Sequence, residues 1–275
     1  MSSVGLVCPV RSCGRPLTRM GRAWTCGQGH AFDIARSGYC NLLQPQDRRS
    51  SRPGDSKAAI SSRRRSLARG TGDALRDVLV REVSSLGLDD RAALLDAGCG
   101  DGFFTMSMAG ACNLEGWGVD LSTCAVDAAA RRWPDARWIV ANADRRLPFA
   151  DGSFDLLTTI TGPKHAAEFH RLLKPGGWLI VVVPGTDDLA ELRAAVLGQA
   201  TPTGRAARSR ELFSAHFDEV AATQSRASIH LDHDGLVDLF AGAYRGLRTR
   251  ERARLDTLVE LDVTVHHDVL VMRRR

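Results

Sequence analysis

The stretch Ala92-Ala93-Leu94-Leu95-Asp96-Ala97-Gly98-Cys99-Gly100-Asp101-Gly102 constrains the fold more than any other part of the chain. Its apolar start reads as a short strand buried on both faces. The glycines that follow permit a turn and a close backbone approach that side chains would block. An apolar helix pattern begins at Phe103. Buried strand, glycine turn and helix open a parallel α/β unit, with a ligand site at the carboxyl end of the strand. The alternation continues downstream. Residues 116–120, 136–141, 154–157 and 178–183 are strand-like, a helix is expected over 166–173, and a last antiparallel edge strand over 262–271. His266 and His267 are expected on the two faces of that edge strand, without a chemical role. The turn reads G-x-G-x-G, so neither the dinucleotide G-x-G-x-x-G nor the G-x-x-x-x-G-K-[ST] phosphate loop is present.

Two acids follow the turn at telling intervals. Asp120 ends the second strand about twenty residues on, where a carboxylate can accept both hydroxyls of a ribose. Asp144 follows the third strand and is placed to meet an adenine amino group. The expected binder is therefore a nucleoside-containing cofactor.

The N-terminus carries a different chemistry. Cys8 and Cys13 are followed, after twelve intervening residues, by Cys26 and His30, giving C-x4-C and C-x3-H. Three thiolates and an imidazole form a closed tetrahedral set suited to structural Zn²⁺. Residues 1–40 hold few large apolar side chains, and a metal would supply folding free energy on the order of 10 kcal/mol. Cys40 is an outside candidate for a further ligand. Cys99, Cys112 and Cys124 read as small buried side chains. With no secretory leader in view, seven cysteines do not suggest a disulfide framework.

Charge is divided along the chain. Residues 1–70 hold 13 Arg/Lys against 3 Asp/Glu, whereas residues 71–275 hold 24 against 29. A basic head on an acidic body suggests contact with a polyanion, although a solvated surface with an arginine bias reads the same way. Only Lys57, Lys164 and Lys174 are lysines, so such a bias exists. The segment 44–70 is basic and Ser-rich, with a helix expected from Ser56 to Ala68. Its arginines could hold phosphates, or it could be a plain linker. Thr203–Arg210 is basic too and reads as a loop. At 44% hydrophobic and 25% charged the chain is not disordered, and no apolar run approaches the ~18 residues of a membrane span, so a cytoplasmic address is expected.

The D-x-G-x-G-x-G stretch, Asp120, Asp144, Leu147-Pro148-Phe149 with Asp151-Gly152-Ser153-Phe154-Asp155, and Leu173-Lys174-Pro175-Gly176-Gly177 together resemble class I S-adenosylmethionine-dependent methyltransferases. A closer resemblance covers nearly the whole chain. The run from His30 through Phe32-Asp33, Gly38-Tyr39 and Asn41-Leu42-Leu43, then Pro53-Gly54-Asp55 and Arg63-Arg64, is similar to the 23S ribosomal RNA guanine-N1 methyltransferases. That resemblance implies an α/β, Rossmann-like class I methyltransferase domain with an N-terminal zinc ribbon. The divisions expected are ribbon 1–43, basic linker and helix 44–90, and methyltransferase domain 91–275. It implies S-adenosylmethionine and structural zinc as cofactors, the latter on Cys8, Cys13, Cys26 and His30. The cofactor set implied is Asp96, Gly98, Gly100, Asp101, Gly102, Asp120, Leu121, Ala143, Asp144, Thr161 and Asp188. The partners implied are a hairpin of 23S rRNA and a second copy of the chain. Some members of the family confer macrolide resistance.

Four positions depart from the family pattern. The first ligand pair is C-x4-C rather than C-x2-C. Gly72 replaces a Tyr, Asp188 a His, and Thr161-Gly162-Pro163 a Tyr-Ala-Pro. The last three cluster near cofactor and acceptor. Thr161 could orient a base edge, Pro163 could stack on it, and His165 or Asp188 could take a proton; no residue is assigned as the catalytic base. Because the acceptor region is altered, two other functions stay open. One is methylation of a small natural product. The other is a non-catalytic zinc-ribbon RNA-binding protein.

Overall fold

The computed structural model describes residues 4–47, 54–199, 201–202, 204–243 and 248–275. Arg48, Arg49, Arg52 and Pro53 of the connecting segment, and Thr203 of the basic stretch, lie outside the described residues.

The head is a small antiparallel sheet of β1 (Leu17–Met20), β2 (Ala23–Cys26) and β3 (Ala31–Asp33). β4 (Cys40–Asn41) then leaves the head and joins the body. The body is built from β5 (Ala93–Ala97), β6 (Glu115–Asp120), β7 (Arg137–Val140), β8 (Phe154–Ile160), β9 (Leu173–Pro184), β10 (Phe217–Asp232) and β11 (Glu260–Arg274). Its sheet runs in the order β10-β11-β9-β8-β5-β6-β7-β4. All pairings from β4 to β9 are parallel, and β11 is antiparallel to both neighbours. The helices are α1 (Lys57–Ala68), α2 (Asp73–Ser84), α3 (Phe103–Ala111), α4 (Thr123–Arg132), α5 (Ala166–Leu172), α6 (Ala190–Leu197), α7 (Ala206–Phe213), α8 (His233–Ala243) and α9 (Thr249–Asp256).

Every residue of β5 is buried, as a strand covered on both faces requires. Leu94, Leu156, Ile180 and Val269 meet Leu75, Leu79 and Met108 of α2 and α3 on one face. Leu95, Trp117, Phe149 and Phe154 form the other face, where the three aromatic rings pack edge to face at 5.1 to 6.3 Å. Leu6, Cys8, Leu17 and Cys26 of the head belong to this second core. Head and body are also stitched by backbone bonds: Val7 N donates to Pro148 O at 3.0 Å and Ala150 N to Gly5 O at 2.8 Å.

The helix expected from Ser56 forms as α1, and the Ser56 hydroxyl accepts from Ala59 N at 3.2 Å as its N-cap. Three local expectations are corrected. Residues 206–210 are helical, not loop: Ser209 and Phe213 lie on one buried face of α7, and Phe213 stacks on Phe169. Arg208 and Arg210, on either side of Ser209, mask that spacing in the sequence. Cys124 is exposed and Cys112 half-buried, so of the three only Cys99 is a core thiol. Lys174–Gly177 bulges out opposite Asp155 in an already started β9, tied by Lys174 Nζ to both Asp155 oxygens at 2.8 Å.

β9 pairs with β11 only along His267–Arg273, while β11 and β10 stay paired to Glu260 and Asp232. This two-stranded extension carries α8 past the sheet's end and back onto α1. Asp238 of α8, 4% exposed, receives Arg65 Nε at 2.9 Å and Arg69 Nη1 at 3.2 Å. These two arginines of the basic segment are thus engaged within the fold. Leu189, Leu192, Leu231, Phe240 and Val263 fill the space beneath the extension.

Trp138 of β7 closes the sheet under the glycine turn: a Cβ at Gly118 would lie 2.3 Å from its ring, and its Nε1 donates to Trp133 O at 2.8 Å. Trp138→Ala is expected to lower stability by about 3–5 kcal/mol, read from denaturant unfolding.

Candidate active site and metal centre

The four predicted metal ligands converge. One donor atom from each of Cys8, Cys13, Cys26 and His30 lies within 4.8 Å of all the others. His30 Nδ1 is 3.4 Å from both Cys8 Sγ and Cys26 Sγ, and Cys13 Sγ is 3.8 Å from Cys26 Sγ. A tetrahedral ion with Zn–S bonds near 2.3 Å has S–S edges of about 3.8 Å, so the set fits zinc. The longer C-x4-C loop is accommodated by a turn in which Cys13 N donates to Val10 O at 2.9 Å, with Ser12 and Gly14 left-handed. Cys40 is not a ligand. It is buried in β4, its thiol near Phe32 O.

The glycine turn sits at the end of β5. Gly98, Gly100 and Gly102 all have positive φ, and a Cβ at Gly98 would lie 2.8 Å from Pro163 Cδ. Gly98 N and Cys99 N donate to Val119 O, and Asp120 completes the clamp: one oxygen accepts Gly100 N at 3.0 Å, the other Ser122 N at 2.7 Å. Asp96 beneath it accepts Thr105 Oγ1 at 2.6 Å and Thr158 Oγ1 at 3.0 Å. Burial outweighs those two bonds and pushes the Asp96 carboxyl up to about 6.

A cavity of about 270 Å³ opens over this turn. It is lined by Asp96, Gly98, Gly100, Asp101, Asp120, Leu121, Ala143, Asp144 and Thr161, nine of the eleven cofactor residues expected from sequence. Asp144 stands exposed at the rim, and Asp101 turns toward Arg132 at 3.5 Å. Gly102 does not line the cavity; its missing Cβ makes room for Trp138 at 2.4 Å. Asp188 lies in an adjoining cavity instead.

That second cavity is about 660 Å³ and shares Asp55, Arg63, Phe104, Ile160 and Thr161 with the first. Its remaining walls come from α1, from α6 with Arg193, from α8, from β11 with His267, and from the connections that hold Gly72, Asp188 and Arg205. Thr161 is left-handed at φ 50°, a strained position at the joint between the cavities. Gly72 has no room for a side chain: a Cβ would meet Leu67 at 2.5 Å and the Phe103 and Phe104 rings at 3.3 Å. Pro163 packs on the glycine turn and lines the smaller cavity only, and His165 lines neither.

His266 and His267 face opposite ways, as strand alternation predicts, and each has a distinct setting. His266 bonds the Asp187 carboxylate through Nδ1, and its backbone N–H donates to Asp188 Oδ1 at 2.9 Å. His267 faces the large cavity, and burial lowers its imidazole to about 4, so it is neutral. Burial likewise raises Asp188 to about 6. Lys164 is lowered by burial and by the nearby Arg205 and Arg208, which makes the three a crowded cationic group. Sequence reasoning had quoted Gly54-Asp55 and Arg63 without placing them. The structure sets Arg63 Nη2 2.9 Å from Asp55 Oδ2 beside the glycine turn, and Gly54 directly on Ser122. Arg193 gave no signal at all.

A cradle without Cβ atoms, an acid after the second strand and a closed thiolate–imidazole set define a zinc-ribbon methyltransferase of class I. Comparisons agree. Residues 94–177 match the methyltransferase domain family, and residues 6–51 match the family described as RlmA, N-terminal. A 23S rRNA (guanine(748)-N(1))-methyltransferase of Streptomyces fradiae is 33% identical, over 84% of this chain and 81% of its own. A protein of Micromonospora griseorubida assigned as a 23S rRNA (guanine-N1)-methyltransferase is 32% identical, over 98% of this chain and 97% of its own. A solved methyltransferase structure from Bacillus halodurans aligns with a TM-score of 0.53 at 13% identity, over 70% of this chain and 97% of that one, a likeness of fold. The chain belongs to the 23S rRNA (guanine-N1)-methyltransferase family. It is an S-adenosylmethionine-dependent enzyme with a structural zinc centre. Among the described residues no helix is long and apolar enough to cross a membrane.

Cys26→Ser is expected to reduce bound zinc from one equivalent to near none by atomic absorption, and chelation of the native protein to lower its Tm. Asp96 gives a pH signature. Its folded carboxyl, raised to about 6, stays protonated while the unfolded one ionises, so it destabilises progressively as pH rises from about 4 to 6. Relative to Asp96→Asn, the native protein should lose on the order of 3 kcal/mol across that window and no more above it, by urea titration at each pH.

Proposed function

We propose that the protein methylates N1 of a guanine in a hairpin of 23S rRNA. The observation that carries this reading is the pair of joined cavities at the carboxyl end of the parallel strands, one walled by the glycine turn and Asp120 and the other lined by Arg63, Arg193 and Arg205. The Streptomyces fradiae relative is named for N1 methylation of guanine 748 of 23S rRNA.

S-adenosylmethionine supplies, when bound, a methyl group activated by its sulfonium charge. The chain's part is to hold and orient. The glycine turn lets backbone lie against the cofactor, with Gly98 and Gly100 on the cavity wall and Gly102 set back on Trp138. Asp120 keeps one lone pair on each oxygen for ribose hydroxyls after accepting Gly100 N and Ser122 N. Asp144 and Ala143 face the adenine end and Leu121 the ring, while Asp96 fixes the turn through Thr105. Thr161 stands between cofactor and acceptor. Asp188, expected beside the cofactor, serves the acceptor cavity instead. The acceptor base leaves its stack to enter that cavity. Lys164, Arg205 and Arg208 sit where flanking phosphates would pass. The zinc ribbon, joined to the sheet by β4, adds a second RNA surface.

The reading extends to a cytoplasmic homodimer and to macrolide protection. Sedimentation of the zinc-loaded protein and growth of a macrolide-sensitive host expressing it test these extensions. The central test is methyl transfer from labelled cofactor to protein-free 23S RNA, mapped by reverse transcription. A stop at one guanine of a hairpin is expected, because N1-methylguanine cannot pair. Labelling of a small molecule without RNA, or RNA binding without cofactor affinity, overturns the proposal in favour of the other two functions.

A further inference from the structure

Arg193 of α6 lines the larger cavity and is only 5% exposed. Its Nη1 donates to Thr201 O at 2.7 Å. Nε and Nη2 are buried and find no acceptor among the described residues. A buried guanidinium with two unpartnered nitrogens is unfavourable by itself, and such a group calls for a missing acceptor. Asp188 is near enough for the two charges to interact, yet it accepts no bond from Nε or Nη2. Its Oδ1 is held instead by the His266 backbone N–H. Arg193, with its unpartnered nitrogens buried at the wall, and the Asp188 carboxylate thus line one cavity and interact electrostatically.

Guanine offers the complement of that pair: an acceptor at O6 beside a donor at N1. Adenine offers the reverse. We propose, on the reading given above, that Arg193 and Asp188 are catalytic residues that engage the acceptor guanine, Arg193 donating to O6 and Asp188 taking the N1 proton.

The electron count closes. The N1–H bond breaks, its proton goes to the Asp188 carboxylate, and its electron pair stays on the base, spread between N1 and O6. Arg193 stands against the charge that develops on O6. N1 then bonds the methyl carbon, and the carbon–sulfur pair departs with the sulfur, discharging the sulfonium. Asp188 returns its proton to water when the product leaves. The raised carboxyl of Asp188 makes it a stronger base than an ordinary aspartate, and the neutral His267, near 4, is a weaker one. Two other oxyanions could satisfy Arg193, the methionyl carboxylate of the cofactor and a phosphate of the RNA, and the test separates them.

The test uses the zinc-loaded full chain with S-adenosylhomocysteine bound. Two hairpins are compared: one bearing the mapped guanine, and one with adenine in its place. The native protein should prefer guanine on the order of tenfold. Arg193→Met should erase that preference and leave the adenine hairpin and S-adenosylhomocysteine bound as before. It should not lower Tm, since a buried cation is removed, and kcat should fall about 10²–10³-fold. Asp188→Asn keeps an acceptor for N1–H, so it should retain much of the preference while losing turnover to a similar degree. It also carries the test if Arg193→Met does not fold. Equal loss of affinity for both hairpins would place a phosphate on Arg193, and a weakened S-adenosylhomocysteine complex would place the carboxylate there; either overturns the proposal. So does full turnover in either variant, or a fall in Tm with guanine preference intact. Absence of guanine methylation by the native protein is a separate failure, that of the functional reading itself.

Discussion

The hydrogen bond from Gly100 N–H to the Asp120 carboxylate is the point on which the body is organised. It ties the turn after β5 to the end of β6, and it forms only because Gly98, Gly100 and Gly102 adopt left-handed backbone. Around that bond the neighbours close in to distances that forbid side chains. Pro163 presses on Gly98, and Trp138 on Gly102 and Gly118. The same bond keeps both Asp120 oxygens aimed outward from the sheet's end. A carboxylate, a strand crossing and a cavity floor are thereby set by one contact.

Much of this was legible from the residues. The strand–turn–helix unit, both acids and the metal ligands are close in sequence or follow fixed intervals, so local chemistry exposes them. The helix of residues 206–213 is hidden because only two of its positions, Ser209 and Phe213, face inward, and Arg208 and Arg210 beside them read as a basic loop. Arg193 was silent for a different reason. Its significance lies in what it does not touch, and an unsatisfied donor is a property of three-dimensional surroundings, not of a motif. The place of His267 on a cavity wall is not legible either, because strand alternation says which way a side chain points, not what it meets. Gly54-Asp55 and Arg63 were quoted from a resemblance, and only their packing on Ser122 and beside Gly100 explains them.

The extension of β10 and β11 shows how a long-range element can complete a local site. Its α8 returns to α1 through Asp238, which gathers Arg65 and Arg69. Their guanidinium groups are partly exposed, so the pairing contributes direction more than free energy. What it fixes is the wall opposite Thr161. The acceptor cavity is thus bounded by segments from nearly every third of the chain, whereas the cofactor cavity draws mostly on residues 96–163.

β4 gives the molecule an internal gauge. Two residues, Cys40 and Asn41, continue the catalytic sheet into the head, and Leu6, Cys8 and Leu17 share the body's core. Head and body therefore have no hinge between them along this seam. On the proposed function, an RNA held by the head would meet the larger cavity at a span set by the sheet's own strand spacing, about 4.8 Å for each step across it. Choice of a nucleotide would then follow from its distance to the held feature as much as from the letter it carries, and a hairpin with one base pair too many would present the right base at the wrong reach.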